Sequence, residues 1–79
     1  MEHDHLTDLA VGDKAQVIGY DHAEPAYRMK LLALGLTRNV TLQVIKAAPL
    51  GDPIEIEVRG YRLSLRKQEA NTLHVRKLS

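Results

Sequence analysis

The four histidines of this 79-residue chain are the side chains best suited to hold a metal ion. His3, His5 and His22 lie near the start, and an amine followed by histidine at the third position can chelate Cu(II) or Ni(II) in a square-planar arrangement. A flexible acidic leader with two histidines is more often simply solvated. His74 alternates with apolar neighbours, which predicts an outward position on a strand. We therefore expect no metal site in the folded domain and no cofactor.

No set of side chains in the sequence resembles a catalytic centre. Ser64 has no evident histidine and acid partner, and the chain contains no GxxxxGK[ST] phosphate-binding loop. Glu55 and Glu57 are predicted to oppose Arg66 and Ser64 across a hairpin, as half of a ladder of charges. Asp52 precedes a proline, which is typical of a turn. We expect a protein without catalytic residues that acts by contact.

Length and composition indicate one small domain. A chain of this size buries about three-fifths of the surface that it exposes when unfolded, and without cysteine it has neither disulfides nor thiolate metal sites. Eleven Lys and Arg nearly balance ten Asp and Glu, so net charge does not indicate nucleic-acid binding. The longest apolar run, Leu31 to Leu36, is too short to span a membrane, and the start lacks a signal-peptide pattern. We expect a cytoplasmic protein with a flexible leader at 1–5 and a domain at 6–79.

The segment after Pro53 is predicted to form a hairpin with one apolar face. The side chains of that face are Ile54, Ile56, Val58, Leu63 and Leu65, and they alternate with polar residues. A two-residue connection at Gly60-Tyr61 fits a type II′ turn, which favours glycine at its first central position. This turn would pair Val58 with Leu63 and Ile56 with Leu65.

The remaining patterns predict three more strands and two helical segments. The strands are Lys14–Tyr20, Val40–Lys46 and Leu73–Lys77, with a short turn from Leu6 to Leu9. A helix should begin at Pro25 and end at Gly35, and a helical turn should cover Lys67 to Asn71. The further core residues would be Val17, Leu31, Leu34, Leu42, Val44, Leu73 and Val75. Five strands and these helices describe a small, strongly bent β-barrel.

The helix carries apolar side chains on two arcs. The first arc is Tyr27, Leu31 and Leu34, and the second is Met29, Leu32, Ala33 and Leu36. One arc can close the barrel, which leaves the second as an exposed surface for a partner. Alternatively, Gly35 ends the helix and Leu36 turns back into the core, so that Met29 and Leu32 are ordinary exposed residues. The sequence leaves both interpretations open.

Three segments in this order, PAYRMKLLALGL, APLGDPIEIEV and LSLRKQEA, resemble the FeoA family over Leu6 to Val75. These are small bacterial cytoplasmic accessory proteins of ferrous-iron uptake. The resemblance implies a mainly β, SH3-like five-stranded barrel with one α-helix after the first strand and a short helical turn before the last strand. Arg38-Asn39 stands where the family often has Pro-Gly, and asparagine tolerates the left-handed backbone of such a turn.

The resemblance also implies a partner, the membrane iron transporter FeoB, which carries its own G-protein domain. Together with the second apolar arc, it predicts a partner surface on the helix and the following loop. This surface comprises Arg28, Met29, Lys30, Leu32, Leu36, Pro49, Leu50 and Pro53. The sequence does not decide whether the chain self-associates or whether it activates its partner.

Two other functions remain as alternatives. A nucleic-acid-binding barrel could use the basic residues Arg59, Arg62, Arg66, Lys67 and Arg76, although three tyrosines without Phe or Trp make a poor stacking platform. A metal-sensing regulatory domain detached from an iron- or manganese-dependent repressor would need a cluster of ligands that the sequence lacks.

Overall fold

The computed structural model describes residues 4–20, 25–50 and 52–78. Its elements are β1 (Asp4–His5), a 3₁₀ turn (Leu6–Asp8), β2 (Lys14–Tyr20), α1 (Pro25–Ala33), β3 (Thr41–Ala47), β4 (Ile54–Val58), β5 (Tyr61–Leu65), α2 (Lys67–Thr72) and β6 (Leu73–Lys77). Within the described residues, six strands form one sheet in the order β1-β6-β2-β3-β4-β5. Every pairing in it is antiparallel. All five predicted strands and both predicted helical segments are present.

Two irregularities in strand pairing bend the sheet. The register of β2 against β6 shifts between Val17 and Gly19, and that of β3 against β4 shifts between Val44 and Lys46. A bulge of this kind increases the local twist of a strand and bends it. The bent sheet encloses one apolar core whose fully buried large side chains are Leu6, Val17, Leu31, Leu36, Leu42, Val44, Ile56, Val58, Leu65, Leu73 and Val75.

Two predicted core residues lie at the margin instead. Leu34 and Leu63 are half-buried and pack against the core. Leu34 follows the last turn of α1, and Leu63 lies on β5, which pairs with β4 on one side in the described sheet. Fewer neighbours therefore cover these two side chains.

The predicted register of the β4–β5 hairpin is wrong by two residues. Val58 pairs with Tyr61 and Glu57 pairs with Arg62, so the turn lies at Arg59-Gly60. Both turn residues have positive φ, 52° at Arg59 and 84° at Gly60, which is the pattern of a type I′ turn. Because the shift is an even number of residues, every side chain keeps its predicted face. Glu55 now opposes Ser64, and the predicted pairing of Glu55 with Arg66 is not formed.

At the N-terminal side, Asp4 and His5 pair with Val75 and His74 of the last strand. The sequence placed these two residues in the flexible leader, because two residues carry no periodicity. The 3₁₀ turn that follows is stabilised by the Asp8 carboxylate, which accepts a hydrogen bond from the His5 backbone N–H at 3.0 Å. The loop at 21–24, with His22 and Glu24, lies outside the described residues.

Helix α1 ends as a glycine-terminated helix should. Gly35 has φ +91°, and the backbone N–H groups of Gly35 and Leu36 donate to the carbonyl oxygens of Leu32 and Leu31 at 3.0 Å each. This pair of bonds is the Schellman motif, which is commonly accompanied by an apolar contact between the flanking residues. Leu36 accordingly turns inward and is fully buried.

A candidate partner surface on helix α1

Helix α1 is attached to the barrel by few contacts. Of its nine residues, Leu31 is buried and Tyr27 is half-buried, whereas the other seven are exposed. The Tyr27 hydroxyl donates to Gln68 Oε1 of α2 at 3.1 Å, and Lys30 Nζ forms an ion pair with Glu69 Oε2. Tyr27 and Lys30 are three residues apart and therefore share one side of the helix. That side faces α2, and most of the remaining circumference faces solvent.

Two tyrosines fix the C-terminal end of the helix. The Tyr61 hydroxyl donates to the carbonyl oxygen of Leu34, and the Tyr20 hydroxyl donates to that of Leu36. The last carbonyl groups of a helix lack intrahelical partners, so the bond to Leu34, the residue directly after α1, satisfies an acceptor that would otherwise depend on water. The two hydrogen bonds also join the segment after the helix to β5 and β2.

Three apolar residues in and after helix α1 belong to the predicted partner surface; Met29 and Leu32 are exposed, and Leu36 is buried. Met29 is 71% exposed and Leu32 is 40% exposed. Leu36 has no exposed surface, so its assignment to the partner surface was wrong because the Schellman motif directs it into the core. Arg28 and Lys30 are exposed on either side of Met29.

A cleft of about 450 Å³ joins one side of the helix to the loop before β4. It is lined by Lys30, Asp52, Pro53, Ser64, Arg66 and Glu69. Asp52 has a structural role there, because its Oδ1 accepts a hydrogen bond from the Lys67 backbone N–H at the start of α2 at 3.1 Å. The predicted residues Lys30 and Pro53 thus share one cleft. Pro49 and Leu50 are exposed nearer the loop tip, Leu50 by 86%.

A second cleft, of about 410 Å³, lies on the other side of the helix. It is lined by Tyr20, Arg28, Leu32 and Arg38, and we call it the arginine cleft. The sequence indicated Arg28 and Leu32 but gave no reason to include Tyr20 or Arg38. Arg38 was noted only as a departure from the family pattern, since its proximity to the helix depends on the turn that follows Leu36.

Two ionisable side chains near the helix have shifted pKa values. Burial is the largest influence on Glu69 and would raise its pKa, but hydrogen bonds from Lys30 and the Arg66 backbone, with the charges of both residues, bring the pKa below its ordinary value. Burial raises the pKa of Tyr20, against the opposing charges of Arg38 and Arg28. Glu69 is therefore a carboxylate near neutral pH, and Tyr20 keeps the proton that it donates to Leu36.

The described residues contain no group of three or more His, Asp or Glu side chains that could hold a metal ion. His5 and His74 face each other across β1 and β6, with ring centroids 4.5 Å apart and the rings nearly perpendicular. His74 is half-buried between the buried residues Leu73 and Val75, which agrees with its predicted outward position on the strand. His3 and His22, the other predicted candidates, lie outside the described residues.

The basic residues of the nucleic-acid alternative are spread over the sheet and partly engaged. Arg62 on β5 opposes Glu57, Arg59 Nη2 donates to Thr37 Oγ1 at 3.4 Å, and Arg76 Nη2 on β6 donates to Gln16 Oε1 at 2.8 Å. In the sheet order, β2, β3 and β4 separate β6 from β5. This arrangement does not favour a continuous nucleic-acid groove. In addition, no helix in the described ranges has the length and apolar character needed to cross a bilayer.

Comparison with known proteins gives the family. The FeoA domain family model matches residues 5–77. The chain belongs to the FeoA family. An FeoA-like protein from Clostridium acetobutylicum is 35% identical and superposes with a TM-score of 0.90, covering 100% of this chain and 91% of its own. FeoA from Stenotrophomonas maltophilia is 27% identical and superposes with a TM-score of 0.79, covering 91% of this chain and 88% of its own. That protein was solved in complex with zinc and is described as a prokaryotic SH3 domain protein and a candidate activating factor of ferrous iron transport.

A curated relative places an FeoA-type segment beside a transporter. The Fe(2+) transport protein A/Fe(2+) transporter FeoB fusion protein of Porphyromonas gingivalis is 30% identical over 74 residues, which are 94% of this chain and 9% of the fusion protein. The chain therefore spans about one-eleventh of the length of that relative. These matches confirm the predicted family and its SH3-like, mainly β fold, and they associate the family with ferrous iron transport. The FeoA family is not a known family of enzymes.

Proposed function

We propose that this protein is a non-catalytic accessory protein of ferrous-iron uptake that acts by binding the transporter FeoB on its cytoplasmic side. The fusion protein of P. gingivalis is the observation that carries this proposal, because it holds an FeoA-type segment and FeoB in one polypeptide. Linking two modules that bind each other raises their effective concentration without any new contact. Where the FeoA-type protein and FeoB are separate chains, the two must bind each other without the help of a covalent link.

The exposed part of helix α1 is the surface that we assign to this contact. Met29 and Leu32 offer apolar side chains to a partner, and methionine adapts its shape to irregular surfaces. Arg28 and Lys30 border them, and the loop residues Pro49, Leu50 and Pro53 continue the surface beyond Lys30. Leu36 is not part of it. Because no GxxxxGK[ST] loop is present, an effect on the G-protein domain of the partner is exerted through contact.

A binding measurement with purified FeoB tests the proposal. Leu32→Glu places a charge in an apolar contact, and changes at the centre of an interface commonly cost about 2 kcal/mol or more, or about thirtyfold in Kd. Val11→Glu is the matched control, because Val11 is also apolar and 60% exposed but lies between the 3₁₀ turn and β2. Both variants should keep the circular-dichroism spectrum and melting temperature of the parent protein.

The results test the proposed partner and the proposed binding surface separately. Loss of FeoB binding by Leu32→Glu with retention by Val11→Glu would support both. Equal binding by Leu32→Glu and the parent chain would reject this helix surface. Absence of binding by the parent chain itself would reject the proposed function.

A further inference from the structure

We propose that the arginine cleft receives an acidic, apolar segment of the protein partner, with carboxylates bound by Arg28 and Arg38 and an apolar side chain packed on Leu32 and Met29. This inference rests on the proposed function, and it specifies the chemistry of the partner surface. The cleft has three properties that support it: a local excess of positive charge, an ordered backbone on both sides of Arg38, and apolar side chains beside the charges.

The positive charge of the cleft is not balanced by the residues that the structure describes. Among residues 4–20, 25–50 and 52–78, neither Arg28 nor Arg38 forms an ion pair or donates a side-chain hydrogen bond. Both arginines line the same cleft as Tyr20, and the charges of both oppose the rise in the pKa of the Tyr20 phenol. Two neighbouring cations repel each other, and an anion bound between them relieves that repulsion. The cleft is therefore complementary to carboxylates.

The backbone that carries Arg38 is held in place before any partner arrives. On one side of Arg38, the Leu36 carbonyl accepts the Tyr20 hydroxyl. On the other side, the Asn39 backbone N–H donates to the Val17 carbonyl at 2.8 Å, with Asn39 at φ 73°. The Arg38 guanidinium lies over Gly19, where a Cβ would be 3.9 Å from Nη2. Because this backbone is already ordered, binding at Arg38 costs less conformational entropy than binding at a flexible loop would.

Apolar surface lies directly beside the two arginines. Leu32 lines the cleft with them, and Met29 is three residues earlier on α1, so the two side chains are neighbours on the helix surface. Arginine binds carboxylates through two parallel hydrogen bonds. A phosphate backbone would satisfy the arginines but leave Leu32 and Met29 uncovered. A peptide that alternates acidic and apolar residues matches all four side chains.

The test compares two double variants that remove equal charge. Arg28→Gln/Arg38→Gln removes the two cations of the cleft, whereas Arg62→Gln/Lys67→Gln removes two exposed cations of β5 and α2. Binding to purified FeoB is measured at several salt concentrations, with thermal unfolding as the check on folding. We expect the cleft variant to bind about tenfold more weakly or worse, with a flatter dependence on salt. The control should stay within about twofold of the parent chain, since charges outside a contact contribute little.

A charge-preserving variant and a nucleic-acid probe complete the experiment. Arg28→Lys/Arg38→Lys keeps the charge but not the bidentate geometry, so its affinity should fall between those of the parent chain and the glutamine variant. If the parent chain binds FeoB and the two glutamine variants behave alike, the acidic-segment proposal is rejected while the proposed function stands. If the parent chain does not bind FeoB, the proposed function fails first. Salt-sensitive binding of a single-stranded oligonucleotide that the cleft variant loses would assign the cleft to nucleic acid and overturn the proposal.

Discussion

The hydroxyl of Tyr61 donates a hydrogen bond to the carbonyl oxygen of Leu34, directly beside Gly35. The first residue of β5 thereby closes the end of helix α1. A Cβ at residue 35 would overlap the Tyr61 hydroxyl, and the backbone of Gly35 is left-handed, with φ +91°. Glycine is thus required at residue 35 for two separate reasons.

These two requirements predict a coupled pair of substitutions. Tyr61→Phe removes one hydrogen bond and should lower the free energy of unfolding by about 0.5–1.5 kcal/mol. Gly35→Ala should cost more, because it adds about 1–2 kcal/mol of left-handed backbone strain to the overlap with the hydroxyl. In the double variant the hydroxyl is gone, so the cost should be smaller than the sum of the two single costs. Urea denaturation of the parent chain and the three variants measures these free energies of unfolding. If the cost in the double variant equals the sum of the two single costs, the overlap between a Cβ at residue 35 and the Tyr61 hydroxyl does not destabilise the protein.

Substitutions on the two faces of the β4–β5 hairpin should change the free energy of unfolding by very different amounts. Ile56 is fully buried and Ser64 is exposed, although they lie on neighbouring strands. Ile56→Ala should lower the free energy of unfolding by about 2–5 kcal/mol, which is a large share of the stability of a small domain. Ser64→Ala should change it by less than about 0.5 kcal/mol. An unchanged denaturation midpoint for Ile56→Ala would contradict the assignment of this face to the core.

The Glu69–Lys30 ion pair predicts a stability that depends on pH in the acidic range. Because the pKa of Glu69 is lower in the folded protein than its ordinary value of 4.5, the carboxylate stabilises the fold above that pH. This contribution is lost as the pH falls through the folded-state pKa. The melting temperature of the parent chain should therefore exceed that of Glu69→Gln at pH 6–7, and the gap should narrow steadily below about pH 4.

Glu55→Gln controls for the removal of one negative charge, since Glu55 lies between Ser64 and Lys46 on the neighbouring strands and forms no ion pair with the residues that the structure describes. At pH 7, the melting temperature of Glu55→Gln should differ less from that of the parent chain than the melting temperature of Glu69→Gln does. A gap for Glu69→Gln that stays constant from pH 7 to pH 3 would show that the carboxylate is not stabilised by its partners.

The sequence predicted the elements of the fold more accurately than the connections between them. Alternation assigned each hairpin side chain to its face, since this assignment depends on parity and survives a shift of two residues. The register itself failed because Arg59 adopts positive φ in the turn, which propensity disfavours for a residue with a long side chain. Strand β1 was missed because its two residues have no pattern of their own and pair with a strand some 70 positions later.

The candidate site was predictable to the same extent. Helical periodicity indicated that Met29 and Leu32 are exposed. The tendency of glycine to end a helix explains why Leu36, directly after Gly35, turns into the core instead. Tyr20 and Arg38 could not be found this way, because their position beside Arg28 depends on the tertiary contacts of three separate segments. Periodicity identifies which face of an element is free, whereas the composition of a cleft depends on what packs against that face.

The pairing of β1 with β6 brings the two ends of the described chain together. Asp4 lies opposite Val75, and with strands about 4.8 Å apart and a rise of about 3.4 Å per residue, Asp4 and Lys77 are separated by about 8 Å. A linker of a few residues can bridge that distance. The domain is therefore suited to circular permutation, with new termini beside the exposed Leu50, which would leave the order of the strands in the sheet unchanged.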